Sequence, residues 1–358
     1  MDNFYKGKKV FITGHTGFKG SWLALWLANM GAQVTGYALE PMTEPSMYSL
    51  CDLGVGMKSI LGDICNSELL YQSMVEAEPD IVFHLAAQAL VPYGYEHPVE
   101  TFETNAMGTV NVLEAIRKIK TVKSVVMVTT DKCYKNTESF WGYRENDSLG
   151  GFDPYSSSKA CAELIIEAYR SSYFNVNDFD SHGVGLASVR AGNVIGGGDF
   201  SEKRLIPDII KSILSDEKIL LRSPSAIRPW QHVLEPLGGY LELGKRLYEN
   251  GKKYSGAWNF GPTNGIEYSV KNMVDKILEL WGKSRDILEE QNNIHETHHL
   301  KLDVYKANQL LGYASRLTMN QTLEWLVAWY KQYDINPSTL KALTIKQIQQ
   351  YQQLLMEK

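Results

Sequence analysis

The chain has 358 residues, 44% hydrophobic and 22% charged, which is enough apolar content for one large α/β domain or two coupled domains with a sizeable core. Its net charge of −5 speaks against nucleic acid as a partner, because a chain that tracks phosphates is usually basic. No apolar run nears the roughly 18 residues of a membrane span, and Cys51, Cys65, Cys133 and Cys161 show no paired short spacing, so no membrane, disulfide framework or zinc site is expected and a reducing cytoplasm fits best.

Met1 to Lys6 contain no apolar leader, and no repeat or low-complexity segment follows. Lys9 to Thr13 predicts a short buried strand running into Gly14-His15-Thr16-Gly17-Phe18-Lys19-Gly20. Ser21 to Met30 predicts a helix, with Trp22, Leu25 and Trp26 on one side and Gly31 as its stop. Strand, glycine turn and helix are the context of a phosphate-binding fingerprint. Glycines let the backbone approach a pyrophosphate, and the helix N-terminus offers unpaired N–H groups. His15 and Lys19 inside this loop are expected to touch or crowd the cofactor, His15 modulating its affinity, unless both simply face solvent.

Gln33 to Leu39 reads as the second strand. Glu40 is the nearest acid for a ribose 2′-hydroxyl and no arginine follows, which leans towards NAD over NADP. Ser59 to Ile64 is a third strand containing Asp63. Asp80 to Ala87 is a fourth, nearly all apolar, as a strand buried on both faces should be. His84 within it is given only a core role. Val99 to Lys118 is a long helix, Ser124 to Thr130 a fifth strand ending at Asp131-Lys132, and Gly183 to Val194 a sixth. Alternating strands and helices predict a Rossmann-type doubly wound parallel sheet over residues 1–192, with returning segments near 234–256 and 304–335.

Between the last two strands lies Asp153-Pro154-Tyr155-Ser156-Ser157-Ser158-Lys159. A helix puts Tyr155 and Lys159 on one face, where an ammonium would pull the phenol pKa down from about 10 and make it a base. After Asn193 the pattern becomes irregular, with Gly196-Gly197-Gly198-Asp199 and with Arg204, Arg222 and Arg228 among prolines. Residues 193–233 and 257–303 are expected to form a smaller mixed α/β lobe over the strand ends, where such sheets bind ligands. The glutamine-rich stretch 336–358 reads as a surface helix or a partner contact.

Together the motifs Thr13-Gly14-xx-Gly17-xx-Gly20, His84-Leu85-Ala86-Ala87-Gln88, Thr104-Asn105-xx-Gly108-Thr109, Thr129-Thr130-Asp131 and Tyr155-xxx-Lys159 resemble the extended short-chain dehydrogenase/reductase family over nearly the whole chain. Trp141 to Asp147, Gly150 to Lys159, Arg190 to Asp199 and Arg228 to Val233 are similar to the nucleotide-sugar 4,6-dehydratases, in particular those acting on a CDP-hexose. The resemblance implies NAD as cofactor, held by Gly14, His15, Gly17, Phe18, Lys19, Gly20, Asp63, Ile64, Leu85, Ala86, Ala87, Thr104, Tyr155 and Lys159, with Asp63 on the adenine amino group. It implies a CDP-hexose substrate held by Asn193 and by Arg204, Arg222 and Arg228, whose guanidinium forks suit phosphate oxygens. It also implies a homodimer or homotetramer, formed by a four-helix bundle of the Tyr155 helix and the Thr104 to Lys118 helix. The spacing of Ala162, Leu164, Ile165, Ile166 and Tyr169 permits that bundle, although the stripe could equally face the sheet.

In the implied chemistry Tyr155 takes the C4 hydroxyl proton, Thr130 binds the C4 oxygen, and Asp131 protonates the leaving C6 hydroxyl. Lys132 stands where dehydratases for other nucleotide sugars carry a glutamate. It is either a neutral base for the C5 proton or a cation that steadies the enolate, and strand alternation could also point it away. The rival readings are a nucleotide-sugar 4-epimerase, a dehydratase for another nucleotide hexose, and a catalytically silent NAD-sensing protein. Asp131 speaks against the epimerase, which has no water to expel. The intact Thr130, Tyr155 and Lys159 speak against the silent protein.

Overall fold

The computed structural model describes residues 3–221, 223–263, 268–289 and 300–357. Six strands come first: β1 (Lys9–Thr13), β2 (Gln33–Ala38), β3 (Lys58–Leu61), β4 (Ile81–His84), β5 (Ser124–Val128) and β6 (Gly185–Ala191). Short strands β7 (Val194–Ile195), β8 (Ile219–Leu221), β9 (Ile227–Arg228) and β10 (Gln231–His232) follow, then β11 (Gly256–Phe260), β12 (Tyr268–Ser269) and β13 (Ile287–Glu289). Seven strands form one sheet in the order β11-β6-β5-β4-β1-β2-β3. Every pairing in it is parallel, with helices between the strands, which is the predicted Rossmann-type doubly wound fold.

The central strands explain why the pattern was readable. Every residue of β4, β5 and β6 is buried, so their sequences are almost unbroken apolar runs. The seventh strand was not expected in this sheet. Residues 257–303 were expected in the lobe, yet β11 pairs with β6 residue for residue from Gly256↔Ala187 to Phe260↔Ala191. The helix Leu234–Tyr254 returns the chain for this pairing, and Ser124 on β5 donates to the Gly244 carbonyl within it at 2.7 Å.

Two helices depart from their predicted bounds. The helix after the glycine loop runs Phe18–Asn29, three residues earlier than expected, and eight consecutive residues from Gly20 to Leu27 are buried. It lies inside the protein, so its one-sided stripe was misleading. The predicted helix 99–118 is interrupted: Pro98–Phe102 is α-helical, Glu103–Met107 is a π turn, and Gly108–Lys118 is α-helical again.

The C-terminal stretch also corrects an expectation. Leu340–Met356 is a helix, but Leu340, Thr344, Gln347, Ile348 and Tyr351 are buried on it. Tyr351 donates to Glu235 at 2.7 Å and stands edge-on to Trp26, and Trp329 donates to Thr344 at 3.0 Å. This helix closes the main core over the glycine-loop helix and is no surface appendage.

Beyond β6 the lobe holds three two-stranded pairs: β7 with β10, β9 with β12, and β8 with β13. The helix Leu205–Leu214 buries Ile206, Ile209, Ile210 and Ile213 against it. Among the described residues no helix is long and apolar enough to cross a membrane, and the four cysteines carry no disulfide.

Candidate active site

The glycine loop joins β1 to the Phe18–Asn29 helix at the carboxyl end of the sheet. Gly14 has φ +80, and a Cβ there would meet the Ala86 nitrogen at 2.6 Å. A Cβ on Gly20 would collide with the Gly14 carbonyl. Gly17 caps the helix, and no side chain bonds to the helix N-terminus. The first turn of the helix is therefore left without a side-chain cap beside Gly14 and Gly17, which suits a pyrophosphate.

His15 does not face solvent. It is fully buried, its ring packed against Gly36 and edge-on to Tyr48, with Nε2 2.7 Å from the Ser59 hydroxyl. Burial holds its pKa down at about 4, with the Tyr37 backbone carbonyl opposing as an acceptor, so the ring is neutral at pH 7. His15 therefore brings no positive charge to the loop. Lys19 is half-buried on the other side. Burial and the neighbouring Arg204 lower its ammonium to about 8, Asp131 opposes, and Lys159 adds to the lowering. Lys19 thus reaches the same charged cluster as the candidate catalytic residues.

That cluster is built from a turn and a helix. Thr130 caps a 3-10 turn, Asp131–Cys133, that follows β5 directly, its hydroxyl accepting from the Lys132 N–H at 3.3 Å. The same hydroxyl donates to Asp131 Oδ1 at 3.0 Å. The second element is the helix Pro154–Ser172, capped by Asp153, which accepts from the Ser156 N–H at 3.0 Å. Tyr155, Ser158, Lys159, Ala162 and Glu163 are buried on it.

Burial sets the electrostatics. Asp131 is only 4% exposed, and burial raises its carboxyl, opposed by the Lys132 charge and the Thr130 hydroxyl. A carboxyl kept protonated to higher pH suits an acid. Burial lowers Lys159 to about 8, with Glu163 and Cys133 opposing. Tyr155 runs against expectation: burial pushes the phenol up to about 12, while a Thr130 hydrogen bond and the Arg204 charge pull it back. Among the forces acting on the phenol, desolvation outweighs the nearby cations.

Lys132 is exposed. Its charge acts on Asp131, lowering that carboxyl. His84 is a buried core residue as expected, 2.7 Å from the Thr13 hydroxyl and held at about 3 by burial.

The remaining predicted residues lie around the cluster at several depths. Leu85, Ala86, Ala87 and Thr104 are half-buried beside the glycine loop and the π turn, and Ile64 is buried against Gly108. Asp63 is exposed just beyond β3, its carboxylate accepting from the Cys65 N–H at 2.8 Å. Asn193 is half-buried between β6 and β7, its carbonyl accepting from Gln231 at 3.0 Å. Arg204 binds Asp199 at 3.1 Å and its charge reaches Tyr155. Arg228 lies on β9, one N–H donating to the Ile227 carbonyl at 3.0 Å. Arg222 lies outside the described residues.

Sequence reading passed over Asn105, Glu163 and Arg190 as site residues. Asn105, in the π turn, accepts from the Gln88 N–H at 3.0 Å and donates to Ser158 at 2.8 Å, tying the β4 loop to the tyrosine helix. Glu163 sits four residues after Lys159, so a signal existed: Tyr155, Lys159 and Glu163 repeat at one-turn spacing.

Comparison with known proteins gives the context. The family model described as GDP-mannose 4,6 dehydratase matches residues 11–326. The chain is 53% identical over 330 residues to a CDP-glucose 4,6-dehydratase of Salmonella typhimurium, covering 92% of each chain. Among solved structures, an epimerase from Methanothermobacter thermautotrophicus superposes with TM-score 0.79 at 24% identity, covering 93% of this chain and 95% of that one. A dTDP-glucose 4,6-dehydratase double mutant from Streptomyces venezuelae, with NAD and DAU bound, superposes with TM-score 0.78 at 21% identity, covering 93% and 99%. The fold alone does not separate epimerase from dehydratase, whereas the match along the sequence extends through both the glycine loop and the Tyr155 helix, and the chain belongs to the GDP-mannose 4,6 dehydratase family.

Proposed function

We propose that the protein is a CDP-glucose 4,6-dehydratase that converts CDP-glucose to CDP-4-keto-6-deoxyglucose. The observation that carries this reading is the 53% identity to such an enzyme over 92% of both chains. The site supports it, because a buried acid, a buried tyrosine and a buried lysine converge at the strand ends.

The glycine loop fits NAD: Gly14, Gly17 and Gly20 clear the backbone, and Phe18 and Lys19 lie in the first turn of the helix. His15 shapes that loop from below. Leu85, Ala86, Ala87, Thr104 and Ile64 would line the rest, and Asp63 would meet the adenine. NAD, when bound, takes up a hydride from C4 of the sugar and gives it back at C6, so the net reaction is loss of water.

The chain's own residues manage the protons. Tyr155, as its phenolate, takes the C4 hydroxyl proton, with Thr130 holding the oxygen; the Thr130 hydrogen bond and the Arg204 charge favour that form against the upward push of burial. Lys159 keeps a positive charge near the phenol and orients the nicotinamide ribose. Once C4 is a ketone, the C5 proton is acidic and passes to solvent water on the exposed Lys132 side of the site; a proton returns to C5 from solvent as the hydride reaches C6, and the proton taken up by Tyr155 makes good the one given by Asp131. Asp131, its carboxyl raised by burial, gives a proton to the C6 hydroxyl as that leaves as water. Lys132, exposed and cationic, steadies the enolate oxygen. In the lobe Asn193, Arg204, Arg222 and Arg228 hold the diphosphate. Met107 and Leu164 expose apolar surface on the segments expected to pair subunits, which supports a homodimer or homotetramer through a four-helix bundle, while Ala162 and Ile166 of the same stripe are buried.

The test is incubation of the purified protein with NAD and CDP-, dTDP-, GDP- or UDP-glucose, followed by the absorbance of a 4-keto-6-deoxy sugar in alkali. CDP-glucose is expected to react best. A galacto-configured product without that absorbance would replace the reading with a 4-epimerase.

A further inference from the structure

Glu163 and Arg190 form an ion pair at 2.7 Å with side chains 2% and 4% exposed. Replacing such a pair by apolar groups is often neutral for stability, so its presence calls for another reason, of which fixing register is the best attested. What the pair touches supplies that reason here. Thr129, immediately before Thr130, donates its hydroxyl to Glu163 Oε1. Ser188 on β6 donates to Oε2 at 2.8 Å. Arg190 donates to the Tyr134 hydroxyl at 2.6 Å and lies over the Tyr134 ring, 4.8 Å from its centre. Tyr134 in turn donates to Asn259 on β11 at 2.8 Å.

The two partners of one ion pair therefore grip the two ends of one short segment. Thr129 is held by the glutamate and Tyr134 by the arginine, and between them lie Thr130, Asp131, Lys132 and Cys133. The glutamate itself sits on the helix of Tyr155 and Lys159, one turn beyond the lysine. We infer that Glu163 is a positioning residue: through Thr129 and Arg190 it locks the turn that carries the acid in register with the helix that carries the base. The inference rests on the dehydratase reading for its kinetic expression, and on geometry alone for the locking.

Apolar packing could not do this as well, because it tolerates slippage, whereas three directed bonds converging on one carboxylate, from Thr129, Ser188 and Arg190, fix both distance and orientation. The carboxylate also has an electrostatic effect. Lys159 is faced by Glu163 from its own helix, Cys133 from the turn, His84 from β4 and Lys19 from the glycine-loop helix. Glu163 favours the ammonium there and Lys19 opposes it, so neutralising the glutamate makes Lys159 lose its proton at lower pH.

The test compares Glu163→Gln, Glu163→Asp and the double replacement Glu163→Leu with Arg190→Met, each with NAD and CDP-glucose. For Glu163→Gln we expect kcat lower by about tenfold to 100-fold with KM within about threefold, since a small misplacement of catalytic groups costs that much. The limb of the pH profile due to Lys159 should move to lower pH, and Glu163→Asp should recover part of the rate. The double replacement should keep its melting temperature yet stay slow, which a purely structural role would not produce. Unchanged kcat and pH profile in folded Glu163→Gln would overturn the proposal. Labelling of Lys159 by cyanate against pH, read by mass spectrometry on the folded protein, gives a second readout. If the wild type turns over no CDP-glucose, the functional reading fails, and a downward shift of the labelling midpoint in Glu163→Gln still decides for the positioning role, an unmoved midpoint against it.

Discussion

At the carboxyl ends of β4, β5 and β6 three charged groups are buried, with Asp131 4% exposed, Lys159 5% and Glu163 3%, while Lys132 beside them is exposed. In the lobe the Arg204 side chain is 35% exposed, and Arg228 is half-buried on a two-residue strand. The first region rests on parallel strands buried along their whole length, the second on short pairs joined by loops. A buried charge has its proton affinity set by the protein, whereas a half-exposed guanidinium keeps its charge and can meet a phosphate. The difference matches the proposed division, with proton chemistry at the sheet and recognition in the lobe.

Four substitutions would break or sharpen that contrast. The largest effect is expected for Tyr155→Phe, which removes the only proton acceptor proposed for C4 oxidation. Turnover should fall by about 10³-fold while the melting temperature holds. A residual rate above a tenth would move the base elsewhere. Next comes Asp131→Asn, which keeps the Thr130 hydrogen bond but loses the proton. Its kcat should fall about 100-fold, with substrate affinity by calorimetry within about twofold.

Lys159→Met tests what burial costs. The lysine is held at about 8 in the folded protein, against about 10.4 unfolded. Below pH 8 both states carry the ammonium, and the folded state bears the full cost of burying it. That cost shrinks between about pH 8 and pH 10 as the folded lysine becomes neutral, and vanishes above. The apolar variant should therefore be inactive yet more stable, by about 2–3 kcal/mol at pH 7, with the gain fading by pH 10 in denaturant titrations. Lower stability at pH 7 would show that the ammonium is well compensated where it lies. The smallest effect is expected in the lobe. Arg204→Ala should raise KM for CDP-glucose about tenfold and leave kcat within about threefold. A fall in kcat alone would place Arg204 with the proton chemistry, through its reach to Tyr155.

Asp153 to Lys159 show how far local sequence carries. The cap Asp153, the proline after it and the four-residue spacing of Tyr155 and Lys159 specify a helix and one shared face, and both appear as read. β1 and the glycine turn were legible for the same reason: strand, turn and cap follow from neighbours in the chain. Gly14 and Gly20 needed no partner to be recognised, because close backbone approach leaves few residue types possible.

Other properties depend on residues far away in the chain. The Tyr155 phenol was expected to be lowered by Lys159, but enclosure by the surrounding elements pushes it up to about 12. His15 was read as a loop residue, but β2 and β3 offer Gly36 and Ser59 to enclose it. The glutamine-rich C-terminal helix gave no sign of burial, because its buried partners, Trp26, Glu235 and Trp329, come from three other segments. Arg190 grips Tyr134 from 56 residues away. Sequence by itself determined which residue types stand at the strand ends and on which local element. Desolvation and ion-pair geometry depend on everything packed around a group, so only the tertiary structure decided which charges are buried, which are paired, and hence which proton each can hold.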